Sequence, residues 1–307
     1  MKHETFQLPG RDGVSLFAQA WLPVDRDARA VVQIAHGMAE HSTRYARFAT
    51  FLVERGYAVY AHDHRGHGQT AGGDANLGWA GEDGWNALVA DIVSVGEHAE
   101  KRHPGKERCL FGHSMGSFAT LQVMVERGGR YQAYVLSGSD EPGGFLVLAG
   151  RQAAKLERLR QGARGKSGVL AQLSFGAFND AFKPARTDFD WLSRDAAEVD
   201  KYIADPHCGH RVTNQFWVDF TAALSKIGSA DWSRMPTGKP VYVFSGERDP
   251  VGKMGSGTRA LIARLKRAGF SRIEEKIYAE GRHEMLNETN KDEVMQGVVA
   301  FLDRALR

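Results

Sequence analysis

Short apolar segments alternate with longer amphipathic segments from residue 30 onward. The short segments are rich in β-branched and aromatic residues, as strands are, and the longer ones repeat their apolar positions at helical spacing. This alternation is typical of a parallel sheet covered by helices, so the predicted fold class is α/β. The predicted strands cover residues 30–35, 58–62, 108–111, 133–137, 241–245 and 273–278. The predicted helices cover residues 45–55, 85–101, 115–127, 257–268 and 291–305.

The first residues of the chain have a different pattern. Residues 4–8 and 15–22 read as strands, and the polar, glycine-containing stretch 10–13 lies between them. Two strands joined by such a turn predict an antiparallel hairpin. We expect this hairpin to form one edge of the sheet.

One connection in the second half is much longer than the others. Residues 141–236 separate two predicted strands, whereas an ordinary crossover is far shorter. The connection contains a helix-like pattern at 152–159 and is predicted to be a cap inserted into a core formed by 1–140 and 237–307. A cap over the carboxyl ends of the strands can serve as a lid. Its aromatic residues are suited to packing over an apolar pocket or to holding the cap together: Phe175, Phe178, Phe182, Phe189, Trp191, Phe216, Trp217 and Phe220.

Composition narrows the range of partners. Of the 307 residues, 42% are hydrophobic. The chain has 40 Lys and Arg residues and 37 Asp and Glu residues, which gives a net charge of +3. Such a balance gives no basic footprint for nucleic acid, so a small-molecule partner is expected. The first residues lack the apolar stretch of a signal peptide, and no run approaches the roughly 18 apolar residues of a membrane span. The expected location is cytoplasmic, and no oligomeric state is predicted.

The two cysteines indicate neither a disulfide nor a metal site. Cys109 lies in an apolar strand-like run, and Cys208 lies in the polar stretch 205–210 together with two histidines. A zinc site needs four converging ligands, or three and a water, and the sequence has no second cluster to complete one. We therefore predict no metal and no other cofactor.

Ser114 is the predicted nucleophile. It stands at the centre of a G-x-S-x-G motif at 112–116, which follows a predicted strand and precedes a predicted helix. A sharp turn at such a junction exposes the serine hydroxyl, and the helix directs its N-terminal amides toward the charge that develops during acyl transfer. The glycines let strand and helix approach closely.

A serine hydroxyl needs a histidine base and a carboxylate that orients the histidine. His283 is the only histidine after residue 210, and it follows the last predicted strand. Asp249 follows the strand 241–245 and is the predicted acid. Glu247 is the nearest competitor, but it is closer to the strand end, where a surface salt bridge is the expected role. Asp231 precedes that strand and would lie at the wrong edge of the sheet.

Two backbone amides must also stabilise the oxyanion of the tetrahedral intermediate. In enzymes with this turn, one amide belongs to the residue after the nucleophile, here Met115, and the other to the loop after the first parallel strand. Met38 is the predicted second donor, because Gly37 allows the backbone to turn inward. His36 is expected to make structural hydrogen bonds.

Four stretches together resemble the monoglyceride lipase and lysophospholipase branch of the α/β hydrolases. They are residues 36–42 with Arg44 and Tyr45, residues 63–68, residues 112–116 and residues 249–252. The resemblance covers both flanks of the core and matches the cap only loosely. It implies an α/β-hydrolase fold, with a mostly parallel twisted sheet, helices on both faces and an inserted cap. It also implies a serine carboxylic-ester hydrolase that forms an acyl-enzyme intermediate.

The same resemblance assigns roles to residues. It implies the triad Ser114, Asp249 and His283, the oxyanion amides of Met38 and Met115, and a structural turn at 65–68. Members of the family include serine aminopeptidase-type enzymes, so a peptidase is an alternative function. A non-catalytic binding module on the same fold is another. The glycine-rich stretch 252–257 has neither the Walker spacing nor the dinucleotide spacing, which argues against a phosphate-binding protein.

The expected substrates are esters of one acyl chain with a small alcohol, such as monoacylglycerols or short synthetic esters, in preference to triacylglycerols. A lysophospholipid is an alternative substrate, because the cations of the cap could meet its phosphate. Residues 151–166 of the cap contain six basic residues and a single acidic one, Glu157. This composition is typical of a solvated basic helix. A weak contact with an anionic membrane surface, helped by the apolar residues 145–148, is the alternative.

Overall fold

The computed structural model describes residues 1–306 and contains one eight-stranded sheet. In space the strands run β1-β2-β4-β3-β5-β6-β7-β8. The strands β1 to β8 are Lys2–Pro9, Ser15–Leu22, Ala30–Ala35, Tyr57–His62, Arg108–His113, Ala133–Ser137, Val241–Gly246 and Ile273–Tyr278. β1 and β2 form the predicted antiparallel hairpin at one edge, and β3 to β8 are parallel to one another.

Nine α-helices lie within residues 1–306. The helices α1 to α9 are Ala46–Val53, Gly84–Arg102, Met115–Arg127, Phe145–Gln161, Gly168–Phe175, Ala196–Ala204, Asn214–Ser229, Ser256–Arg267 and Lys291–Ala305. The predicted helices 115–127 and 291–305 have the observed bounds, and the others differ by a few residues at their ends. The α/β fold class is therefore confirmed.

The central strands bury both faces, and their side chains alternate between two hydrophobic cores. Leu110 and Leu136 face the core that α2, α3, α7 and α8 complete. Phe111 and Val135, one position along each strand, face the core that α1 and α9 complete. This is the pattern expected of parallel strands covered by helices on both sides. Because these strands are parallel, the carboxyl ends of β3, β5, β7 and β8 lie at the same edge of the sheet.

The predicted segment 141–236 lies within the connection between β6 and β7, which runs from residue 138 to 240, and it contains α4 to α7. Helix α7 packs on the core, since the ring of Phe220 contacts Trp85 of α2 in a tilted arrangement and Phe118 of α3 edge to face. A smaller apolar cluster around Trp191, Leu192 and Tyr202 lies in the same connection. The division of the chain into a core and an inserted cap stays a prediction.

No helix within residues 1–306 is long and apolar enough to cross a bilayer.

Candidate active site

Ser114 lies in the turn between β5 and α3. Its backbone angles are φ 51° and ψ −120°, which place a non-glycine residue in a strained, left-handed conformation. Its N–H donates to the carbonyl of Ser137 on β6 at 2.9 Å, which holds the turn against the sheet. Gly116 permits the close approach of strand and helix, because a Cβ there would overlap the carbonyl oxygen of Ala35. The predicted turn is therefore present, and Ser114 lines a cavity above the sheet.

His283 follows β8 and lines the same cavity as Ser114. Its ring is buried and lies between two other rings, with centroid distances of 4.7 Å to His113 and 5.1 Å to Trp191. Its backbone N–H donates to the carbonyl of Trp191 at 3.3 Å. Side chains and backbone from separate parts of the chain thus fix the position of this imidazole.

Asp249 is fully buried and reaches His283. Its Oδ1 lies 2.9 Å from Nδ1 of His283 and also accepts from the N–H of Val251 at 2.9 Å. Its Oδ2 accepts from the hydroxyl of Ser245 at 2.9 Å. Glu247, the competing acid, is exposed. The structure therefore brings the predicted acid to the predicted base.

Electrostatics favour the charged form of both partners in this pair. Burial has the largest influence, and alone it would raise the pKa of Asp249 and lower that of His283. The mutual attraction and hydrogen bond outweigh burial, so the pKa of Asp249 lies below its ordinary 3.8 and that of His283 above its ordinary 6.5. With Nδ1 hydrogen-bonded to Asp249, a neutral His283 keeps Nε2 as a proton acceptor.

The loop after β3, residues 37–40, is held from both sides and is called the oxyanion loop below. The N–H of Gly37 donates to Oε1 of Glu40 at 2.5 Å. The carbonyl of Ala39, a residue with φ 56°, accepts from the hydroxyl of Tyr202 at 3.0 Å and from the N–H of Gly209 at 3.0 Å. Met38 of this loop lines the cavity beside Ser114.

Met115 is the first residue of α3, directly after Ser114. A first-turn N–H has no partner inside its own helix, so this amide is available to an oxyanion. The partial positive charge at the start of α3 adds to that donor. The structure thus places both predicted oxyanion residues next to the nucleophile.

His36 makes the structural hydrogen bonds expected of it. Its Nε2 accepts from the N–H of His64 at 2.9 Å, and its Nδ1 donates to the carbonyl of Gly37 at 2.7 Å. Burial lowers its pKa well below the ordinary value, so it stays neutral. His36 therefore stabilises the start of the oxyanion loop.

The cavity has a volume of about 360 Å³, within the range of small-molecule sites. Of the aromatic residues that the sequence indicated for a pocket, four line it: Phe175, Phe189, Trp191 and Trp217. The others hold the connection together, on the core or around Trp191. Some of the aromatic residues therefore line the predicted apolar pocket, and the rest provide the predicted structural packing.

One group within residues 1–306 could offer ligands to a metal ion. Ligand atoms of His41, Asp205 and Cys208 lie within 4.8 Å of one another. Sequence reasoning missed this group because His41 lies far from the stretch 205–210. Nε2 of His41 and Oδ2 of Asp205 are already hydrogen-bonded at 2.8 Å, and burial raises the pKa of the Cys208 thiol. The cluster therefore links the loop after β3 to the long connection through protein contacts.

Sequence reasoning assigned no role to three charged residues at this site. Glu40 and Glu284 line the cavity beside His283, and Arg44 lies between them. Glu40 and Arg44 belong to the stretch that carried the family resemblance, which was the available signal. Nothing local in the sequence marks Glu284 as their partner.

Residues 26–290 match the family described as serine aminopeptidase, S33. The chain belongs to this family. It is 29% identical over 299 residues to a monoacylglycerol lipase of Mycolicibacterium smegmatis, covering 95% of this chain and 94% of that protein. It is 30% identical over 224 residues to human monoglyceride lipase, covering 73% and 67%. A thermostable carboxyl esterase from Bacillus coagulans, solved with glycerol, has a TM-score of 0.91 at 26% identity over 99% of both chains.

These matches confirm the predicted family and the α/β-hydrolase fold. They also confirm that the protein is an enzyme, a serine hydrolase that cleaves esters. Neither the peptidase nor the binding-module alternative is favoured. The catalytic roles of individual residues remain predictions.

Proposed function

We propose that the enzyme hydrolyses esters of one acyl chain with a small alcohol, monoacylglycerols first among them, through Ser114, His283 and Asp249. The observation that carries this proposal is the buried Asp249–His283 pair, joined at 2.9 Å and lining the same cavity as the strained Ser114. This is the combination of nucleophile, base and orienting acid that acyl transfer requires. The monoacylglycerol and monoglyceride lipases among its relatives support the substrate class.

Each residue has one chemical task in the proposed reaction. Ser114 Oγ attacks the ester carbonyl while His283 Nε2 accepts its proton, and Asp249 stabilises the resulting imidazolium. The amides of Met38 and Met115 donate to the oxyanion. The imidazolium then protonates the departing alcohol, which leaves the acyl chain on Ser114. Water, deprotonated by the same histidine, releases the acid and restores the serine.

The shape of the cavity favours a single chain. Its aromatic walls offer apolar surface to an acyl chain, and each methylene that leaves water contributes about 0.8 kcal/mol. Glu40, Glu284 and His283 add polar groups to the lining that Ser114 shares. A volume of about 360 Å³ suits one chain and leaves no room for the three of a triacylglycerol.

The connection 141–236 supports a role as the cap. Its residues from α5, α7 and the stretch 188–192 form much of the wall of the cavity that Ser114 also lines. Binding of substrate therefore depends on how this segment covers the sheet edge.

We also propose a weak contact of the cap with anionic membrane surfaces. Helix α4 exposes more apolar surface than a solvated basic helix would, since Phe145 and Leu159 are 81% and 85% exposed. On α5, Leu173 is 69% exposed. Apolar side chains that insert at the headgroup level and cations that meet anionic lipid act together in such contacts. The enzyme should sediment with phosphatidylglycerol vesicles, and a Leu159→Glu variant should bind them less. Equal binding of the enzyme to neutral vesicles would contradict the proposed contribution of the cations.

The decisive test of the catalytic proposal is Ser114→Ala. The variant should fold normally and lose on the order of 10⁴- to 10⁶-fold in kcat. A fluorophosphonate probe should label the parent enzyme at Ser114 and leave the variant unlabelled. A substrate panel completes the test: monooleoylglycerol should be cleaved faster than emulsified triolein or an aminoacyl anilide. Near-normal ester turnover by the variant would remove Ser114 as nucleophile.

A further inference from the structure

A buried ion network joins the oxyanion loop to the loop that carries His283. Nη1 of Arg44 lies 2.7 Å from Oε2 of Glu40 and 2.6 Å from Oε1 of Glu284. Its Nη2 donates to Oε2 of Glu284 at 2.7 Å. One guanidinium thus binds two carboxylates, one of them as a two-pronged fork. The Glu40 and Glu284 side chains are only 4% and 7% exposed, so solvent screens these bonds little.

Each of the two glutamates is also held against a part of the proposed active site, Glu40 by its side chain and Glu284 by its backbone. Glu40 Oε1 accepts from the N–H of Gly37 at 2.5 Å and from the hydroxyl of Tyr45 at 2.9 Å. The first of these bonds fixes the peptide between His36 and Gly37, one peptide before the amide of Met38. Glu284 follows His283 in the chain, and its N–H donates to the carbonyl of Leu192 at 2.8 Å. Arg44 therefore connects the two loops through these glutamates.

We propose that Arg44 is a positioning residue that holds the oxyanion loop and His283 in one geometry through Glu40 and Glu284. This inference rests on the proposed function, because it assigns catalytic work to His283 and to the amide of Met38. The guanidinium suits the role, since its planar fork binds both carboxylates in fixed directions, which a lysine ammonium cannot do.

The network also affects the charge on His283. The charged groups that face the imidazole are Asp249, Glu284, Glu40 and, behind the two glutamates, Arg44. His113 faces it as a neutral ring, because burial, helped by the charge of His283, lowers the pKa of His113 to about 4. After burial and Asp249, the glutamates are the next influences, and both raise the pKa of His283. Two carboxylates against one guanidinium leave a net negative charge beside the base.

Two variants separate geometry from charge. Arg44→Lys keeps the charge and loses the fork, so kcat should fall about 10²-fold, as for a misplaced catalytic group, with the acidic limb of the kcat/KM profile unmoved. Glu284→Gln keeps the shape and removes one negative charge, so the acidic limb should move to lower pH. The control is Arg304→Lys, because Arg304 also binds a carboxylate as a fork, that of Glu274, and lies far from the oxyanion loop and His283 in the fold. It should keep the kcat and the pH profile of the parent enzyme.

The assay is hydrolysis of a soluble butyrate ester from pH 5 to 9, with thermal melting as the check on folding. If Arg44→Lys does not fold, Glu40→Gln takes its place, because it weakens the other arm of the network and should show the same loss of kcat. Parent-like kcat in Arg44→Lys, an unmoved limb in Glu284→Gln, or an equal loss in Arg304→Lys would overturn the proposal. Labelling of Ser114 by a fluorophosphonate is measured in parallel. Failure of the parent enzyme to label would overturn the proposed function instead, so the two failures are distinguishable.

Discussion

Asp249→Asn removes one charge from the centre of the proposed triad with almost no change in volume. Asp249 is fully buried, and its two oxygens accept from Ser245, Val251 and His283. The three donors bind both oxygens of the aspartate, whereas an asparagine offers them a single acceptor oxygen. If that oxygen stays with Val251 and His283, the amide NH₂ faces the hydroxyl of Ser245, which can rotate to accept from it. If it turns away, the NH₂ faces Nδ1 of His283 and forces the wrong tautomer.

The expected magnitude follows from what the carboxylate does. It fixes the proton on Nδ1 and stabilises the imidazolium, and removing the equivalent charge in a serine-histidine-aspartate triad costs about 10⁴ in kcat. At about 1.4 kcal/mol for each factor of ten, the loss is about 5 kcal/mol of transition-state stabilisation. The acidic limb should also move to lower pH, because attraction to Asp249 is the main influence that raises the pKa of His283 against burial.

The assay compares Asp249→Asn with Glu247→Gln on the same soluble ester. Glu247 is the exposed carboxylate two positions earlier, so its variant controls for a general effect of lost charge. We expect parent-like kcat and an unmoved acidic limb for Glu247→Gln. Full activity in Asp249→Asn, or the large loss in Glu247→Gln instead, would refute the assignment of the acid.

Three further outcomes test the fold and the pocket. Gly116→Ala should lower the free energy of unfolding by about 3 kcal/mol in urea titrations, because its Cβ meets the backbone of Ala35; an unchanged midpoint would disprove that contact. Transition-state binding of saturated monoacyl esters should improve by about 0.8 kcal/mol per methylene until the cavity is filled, read as log kcat/KM; a flat series would contradict an enclosed acyl site. The pKa of Glu198 is lowered from 4.5 to about 2, first by its hydrogen bond to Arg47. A lowered carboxylate pKa stabilises the fold above pH 4.5, and this stabilisation is lost as the pH falls toward 2. Because Arg47→Met removes the main cause of the lowered pKa, Tm should fall less steeply over that range in the variant than in the parent enzyme.

The regular elements of the core could be predicted because local pattern and tertiary environment agree. Helix α3, Met115–Arg127, has its predicted bounds because a glycine-bordered turn precedes it and apolar positions repeat along it. Strand β5 was predicted to end at residue 111 but continues to His113. Gly112 and His113 have poor strand preference, and the pairing with Leu136 and Ser137 of β6 keeps them extended. Boundaries of this kind depend on the neighbouring strand, which the sequence does not show.

The candidate site was predictable to the extent that chain order fixes it. Parallel strands end at one edge of the sheet, so residues that follow β5, β7 and β8 must come close together. This reasoning selected Asp249 over Asp231. Within the loop after β7, Asp249 was preferred to Glu247 because Glu247 is closer to the end of the strand. The exposed apolar surface of α4 was underestimated, because basic residues dominate the composition of residues 151–166. The sequence pattern also does not show which face of the helix is left uncovered by its neighbours.

The contacts between distant segments could not be predicted. Arg44 and Glu284, like His41 and Asp205, are common surface residue types with no motif that pairs them. Their pairing follows from the topology, which brings the loop after β3 against both the loop after β8 and the long connection. The carbonyl of Ala39, held by Tyr202 and Gly209, adds a direct bond between the oxyanion loop and that connection. The oxyanion loop is thus bound to the long connection on one side and, through Glu40, to Arg44 on the other, so its conformation depends on two segments that a local sequence pattern does not bring together.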